Sequence, residues 1–136
     1  MQAQKSLAGR PRLSILIADD NVDFVTTLAA ILRDEGHVVH TCVNARLVRE
    51  VVERYKPHIC LLDIVMPGRS GLEVAQELRA LNLPQPPVLV AMSAVYTLTS
   101  EKVAMRGFNH FIKKSADPNE LLELLDSIAG PAPQSA

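Results

Sequence analysis

Short apolar runs alternate along this chain with longer segments in which apolar residues recur every three or four positions. Five runs read as strands: 13–19 (LSILIAD), 37–43 (HVVHTCV), 58–65 (HICLLDIV), 86–94 (PPVLVAMSA) and 110–114 (HFIKK). Helical spacing fills the intervals. Val22, Val25, Leu28, Ala29 and Leu32 mark a first helix in 20–36, with Asn21 and Asp23 as its starting residues and Gly36 at its end. Leu47, Val48, Val51 and Val52 mark a second in 44–57, and Leu72, Val74, Ala75, Leu78 and Leu81 a third in 71–82. A looser pattern at 99–108 gives a fourth. A fifth, at 117–130, opens at Asp117 with Pro118 in its first turn. Five strand–helix units with almost wholly apolar strands predict an α/β fold, a parallel sheet covered on both faces. Residues 1–12 and 130–136 read as flexible tails around a single domain at 13–129.

In such a sheet, ligands bind beyond the carboxyl ends of the strands, where the strand order reverses. The residues that end strands are therefore the informative ones. They are Asp19 and Asp20 after the first, Asp63 in the third, Ser93 after the fourth and Lys114 after the fifth. An ionised carboxylate in a run as apolar as LLDIVMPGRSG needs a partner or a cation. Three carboxylates on one edge repel one another, and a hard divalent cation such as Mg²⁺, which takes a few carboxylates and keeps several waters, relieves that repulsion. Lys114 adds positive charge, and the Ser93 hydroxyl can bond to an oxyanion. Metal, nucleophilic carboxylate, cation and hydroxyl together are a phosphoryl-transfer constellation.

Composition narrows the field. Of 136 residues, 48% are hydrophobic and 21% charged, which suits one domain with a true core. A net charge of −1 gives no basic excess, which argues against nucleic-acid binding by this domain. The apolar runs are too short to span a membrane, and the N-terminus has no secretory core. Cys42 and Cys60 lie in apolar stretches without a CxxC pairing and read as buried thiols of a reducing cytosol. His37, His40, His58 and His110 lack metal-ligand spacing and read as structural.

The acidic pair in ILIADDN, the LLDIVMPGRSG block, the small hydroxyl residue in VAMSA and FIKK before the last helix resemble the receiver domain of two-component response regulators, in order and spacing, from Leu13 to Ile128. The resemblance, closest to the chemotaxis-regulator type, implies a flavodoxin-like doubly wound sheet of order 2-1-3-4-5 with five helices. It implies that Asp63 accepts a phosphoryl group from the phosphohistidine of a histidine kinase or phosphotransfer protein. Asp19, Asp20, Asp63 and the backbone carbonyl of Val65 would hold Mg²⁺. Ser93 would be the switch hydroxyl, Lys114 the lysine on the phosphoryl oxygen and Phe111 the aromatic switch. Pro67 and Gly71 would shape the loop after Asp63, with glycine relieving backbone strain. The expected role is a cytoplasmic signalling phosphoacceptor, not an enzyme beyond assisting its own phosphorylation and dephosphorylation. It would signal through its fourth helix, fifth strand and fifth helix to a protein target or output domain.

The chain departs from the family pattern in places. Ser115 stands where proline, often after a cis bond, usually follows the lysine; a cis bond before a non-proline is costly, so a trans bond is expected. Val65 and Val95 make the flanks of the site apolar, which leaves the phosphoryl lifetime open. The fifth helix has no basic residue, which disfavours dimers built on charged pairs there. A non-phosphorylated pseudo-receiver acting as a binding module, and a receiver fragment of a hybrid histidine kinase, are the alternatives. A haloacid dehalogenase would need an aspartate at position 65. Lys113 and Lys114 point to opposite faces if strand five is regular, and the resemblance, with its lysine three residues after the aromatic, implies Lys114 for the site.

Overall fold

The computed structural model describes residues 12–94 and 106–130. Five strands, β1 (Ser14–Ala18), β2 (Val38–Cys42), β3 (Ile59–Asp63), β4 (Val88–Ser93) and β5 (His110–Lys113), form one parallel sheet of order β2-β1-β3-β4-β5. This is the expected topology. Four α-helices lie among the described residues: α1 (Val22–Asp34), α2 (Val48–Tyr55), α3 (Gly71–Ala80) and α4 (Pro118–Ala129). That is one fewer than expected, because most of the helix placed at 99–108 lies outside the described residues; α4 is the expected fifth. The expected tails also lie outside them, apart from Arg12 and Gly130.

Strand alternation sorts the core into two halves. Ile15, Ile17, Ile59, Leu61, Val90 and Met92 face Val25, Leu28, Ala29 and Leu32 of α1 and Leu121 and Leu125 of α4. Leu16, Ala18, Cys60, Leu62, Leu89 and Ala91 face Val48 and Val52 of α2, Val74, Ala75 and Leu78 of α3, and Phe108. At roughly 1.5–3 kcal/mol for each large side chain buried, these two layers are the main force holding the sheet. Both thiols are buried and free, and burial pushes Cys60 up to about 12.

Three of the four described α-helices start on a side-chain cap, and α2, which follows a 3₁₀ turn, does not. Asn21 Oδ1 accepts from the Phe24 N–H (3.0 Å), and Asp117 Oδ1 from the Asn119 N–H (2.8 Å). Ser70 and Glu73 form a reciprocal capping box on α3. Leu47, expected to face inward, is corrected, and Val22 keeps the helical spacing without being buried. Val22 is 59% exposed and Leu47 is 47% exposed. Leu47 belongs to a 3₁₀ turn, Ala45–Leu47, that precedes α2 under an Asn44 cap, so its side chain is not on the buried stripe of that helix. Val22 is the first residue of α1, where one turn of periodicity cannot say which way the chain enters.

Two of the histidines hold the start of β1. His37 Nδ1 accepts from the Leu13 N–H (3.2 Å) and His58 Nδ1 from the Ser14 N–H (2.9 Å). His40 stacks on Tyr55 with ring centroids 4.0 Å apart.

Gly71 has a different role from the one expected. Its φ is not in the left-handed region; what it provides is close approach. A Cβ there would lie 2.3 Å from the carbonyl oxygen of Asp63 and 2.9 Å from the Cα of Ile64. The Gly71 N–H donates to the Ile64 carbonyl (2.8 Å), so the start of α3 is tied directly under the end of β3. Gly71→Ala is expected to destabilise the fold by about 2 kcal/mol, as overpacking against backbone does. A urea unfolding midpoint equal to that of wild type would refute the close-approach explanation.

Candidate functional site

The carboxyl edge of β1, β3 and β4 gathers the strand-ending residues. Ala18 pairs with Leu62 and Asp63 with Met92, so the residues that follow β1 and end β3 and β4 stand side by side. Asp19 is fully buried, Asp63 and Ser93 are buried, and Asp20 is exposed. One carboxylate oxygen from each of Asp19, Asp20 and Asp63 lies within 4.8 Å of the others. Backbone amides orient two of the acids: Asp19 Oδ1 accepts from the Asn21 N–H (3.0 Å) and Asp63 Oδ1 from the Val65 N–H (3.2 Å).

Lys114 completes the cluster. Its Nζ is 2.7 Å from Asp19 Oδ2 and 3.4 Å from Asp63 Oδ2. Its own N–H donates to the Ser93 carbonyl (3.0 Å), which continues the β4–β5 ladder one residue past β5. The Lys114–Ser115 bond is trans, as expected, and a turn closed by the Ala116 N–H on the Lys113 carbonyl (3.0 Å) carries the chain onward. Lys113 is exposed and Lys114 half-buried, in keeping with the opposite faces expected of neighbouring strand residues.

The electrostatics follow from burial. Burial pushes the Asp63 carboxyl up to about 6, the Asp19 charge adds to this, and Lys114 and the Val65 N–H act the other way. Partial burial alone would lower the Lys114 ammonium, but the carboxylates of Asp19 and Asp63 outweigh it and hold its pKa above the usual value. Asp19 Oδ2 accepts no hydrogen bond despite full burial, so its contact with Lys114 is one of charge, not of an aligned bond. A buried carboxylate oxygen without a hydrogen bond, beside two further carboxylates, is the donor set that suits a hard cation. The residues present therefore fit Mg²⁺.

Sequence reading did not single out Phe24. Its ring lies under Lys114, with Nζ 4.8 Å from the centroid, a cation–π contact that helps to fix the ammonium. The signal for it is its place three residues after the Asn21 cap, one turn into α1. Phe111 is half-buried, pairs in register with Ala91 and packs against the α2–α3 half of the core. Val65 is 59% exposed, on the rim of the site. Val95 lies outside the described residues.

The sequence pattern of the response regulator receiver domain matches residues 15–126. An uncharacterized 14.6 kDa protein in the sodA1 3′ region of Leptolyngbya boryana is 31% identical over 115 residues, covering 84% of this chain and 88% of its own. Among solved structures, the BeF3-activated N-terminal receiver domain of Klebsiella pneumoniae RstA aligns with a TM-score of 0.75 and 26% identity, over 82% of this chain and 94% of that one. A CheY-like receiver domain protein of Methanospirillum hungatei JF-1 has the same fold at a TM-score of 0.77 and 23% identity, over 86% and 93%. Among the described residues, no helix is long and apolar enough to cross a membrane.

The raised Asp63 pKa has a measurable sign. A carboxyl at 3.8 when unfolded and about 6 when folded binds more protons in the folded state between those values. Stability is therefore lost as pH rises from about 4 to about 6. In metal-free buffer above pH 7, Asp63→Asn should be more stable than wild type by on the order of 2 kcal/mol. The gap should close below pH 4, where Asp63 is protonated in both states. Denaturant melts of both proteins across this range check it, and a gap independent of pH would contradict the assignment.

Proposed function

The chain belongs to the response regulator receiver domain family, and from that premise we propose that it is a phosphoacceptor whose Asp63 takes a phosphoryl group from the phosphohistidine of a partner kinase or phosphotransfer protein. The observation that carries the reading is the convergence of three carboxylates with one lysine at the sheet edge.

A carboxylate oxygen of Asp63 attacks phosphorus, a P–O bond forms as the P–N bond to the imidazole breaks, and the departing nitrogen keeps the electron pair. Asp19, Asp20, Asp63 and the Val65 carbonyl would hold Mg²⁺. When bound, the ion supplies positive charge that offsets the nucleophile and the incoming phosphoryl oxygens. Asp19, fully buried and oriented by the Asn21 N–H, fixes the negative floor of the site. Lys114 turns from the carboxylates toward a phosphoryl oxygen, and the buried Ser93 hydroxyl bonds to another. Removing the lysine from its present pairing gives the site a way to register phosphorylation, since Lys114 and Ser93 both sit on the β4–β5 side. The signalling surface is then β5, α4 and the segment that precedes β5, presented to a protein target or an output domain. The protein acts in the cytoplasm as a signalling component rather than as an enzyme with a free substrate.

Acetyl phosphate with Mg²⁺ should add one phosphoryl group to the wild-type protein by intact mass, and chelation with EDTA should abolish it. Asp63→Asn should take none; an equal adduct on that variant overturns the phosphoacceptor assignment, and no adduct on wild type points to a pseudo-receiver. Lys114→Ala should slow labelling by about tenfold or more, the loss of one positioned charge at a developing anion. Lys113→Ala should label within about twofold of wild type, since surface charges contribute little. The reverse pattern would mean that β5 is shifted by one residue.

A further inference from the structure

At the opposite edge of the sheet, one guanidinium gathers three segments. Arg79, in the last turn of α3, donates from Nε to the Gly107 carbonyl (2.8 Å), from Nη1 to the Pro87 carbonyl (3.0 Å) and from Nη2 to Asn109 Oδ1 (2.6 Å). Asn109 Oδ1 accepts a second bond from the Leu89 N–H (2.8 Å), and the Asn109 N–H donates to the Leu89 carbonyl (2.8 Å). The Asn109 side chain thus completes the β4–β5 ladder one residue before β5 begins. Gly107, at φ +100°, lies against the stem of Arg79, where a Cβ would meet Cγ at 3.0 Å.

Burial specifies the register of β5 less firmly than that of β3, and these bonds add to it. β3 is buried at every position, whereas no residue of β5 is fully buried and Lys113 is exposed. In this four-residue edge strand only Phe111 and Ile112 pack against the two core halves, and both are half-buried, so slipping costs less than it would in β3. A slip of one residue would turn Lys114 to the other face, and a slip of two would carry it about 6.6 Å along the strand. Either displacement breaks contacts of 2.7 and 3.4 Å to the carboxylates.

We propose that Arg79 and Asn109 are positioning residues for phosphoryl transfer: they fix the register of β5 and thereby aim Lys114 at Asp63. This rests on the phosphoacceptor reading of the site. Neither residue touches the reacting atoms. They act across the full length of β5, from its first ladder bond at Leu89 to its last at Ser93.

A double-mutant cycle on phosphorylation by acetyl phosphate and Mg²⁺ tests it. Asn109→Ala should slow labelling about tenfold when Lys114 is present, and by less than about twofold in a Lys114→Ala background. Asn109→Asp keeps the acceptor for both the Leu89 N–H and Arg79 and should restore the wild-type rate. Equal slowing in both backgrounds would mean general destabilisation and would overturn the proposal. Arg79→Lys, which keeps a charge but cannot make three bonds, serves in the same cycle if Asn109→Ala does not fold. Cross-strand NOEs between Ser93 and Lys113 read the register independently of chemistry. Lost or displaced NOEs in the variant uphold the clamp, and unchanged ones reject it. Should the wild-type protein fail to label at all, the phosphoacceptor reading falls while these NOEs still decide the register.

Discussion

Two carboxylates that repel one another, buried side by side and held by a single ammonium, are the constraint around which this structure is organised. The β1–β3 register leaves no freedom in the matter: pairing Ala18 with Leu62 sets Asp19 beside Asp63. Asp20 adds a third acid at the surface. One lysine cannot neutralise this set, and its unequal distances of 2.7 and 3.4 Å show it drawn more closely to the acid that burial strips of water. Among the described residues, the imbalance leaves the site short of positive charge. It persists because apolar layers on both faces of the sheet supply far more free energy than it costs.

Different parts of the sheet are held by different forces. β3 and most of β1 and β4 are buried so thoroughly that packing fixes their place. The start of β1 and the whole of β5 have less apolar cover, and polar anchors do what burial does not. His37 and His58 take the free amides of Leu13 and Ser14, and Asn109 takes that of Leu89. Lys114 belongs to the less buried set, so the cation at the site is positioned by hydrogen bonds along β5 and by the ring of Phe24.

Features with a local signature were legible in the sequence. Apolar runs ending in acid marked β1 and β3, and the caps at Asn21 and Asp117 follow from residue type alone. The strand-ending rule brought Asp19, Asp20, Asp63, Ser93 and Lys114 to one edge without knowledge of any contact. What failed was local geometry below the scale of a periodic pattern. Leu47 keeps helical spacing yet sits in a 3₁₀ turn, and Val22 lies at a helix start where direction is set by the preceding strand. Gly71 was noticed for the wrong reason, because a glycine in a sequence does not say whether it serves an unusual φ or a close neighbour. Phe24 under Lys114 and Arg79 on Asn109 join residues far apart in the chain, and no spacing rule connects them.

The seat of Gly71 under the Asp63 carbonyl has a mechanical consequence. With the Gly71 N–H bonded to Ile64, the eight residues from Ile64 to Gly71 form a closed ring of chain welded to the tip of β3 and braced by the capping box at its foot. A site with one stiff wall transmits displacement through the other. Whatever load is placed on Asp63, the ring on the α3 side resists it. The compliant direction runs sideways through Lys114 into the lightly buried β5. The direction in which this domain can yield is thus set by a missing methyl group.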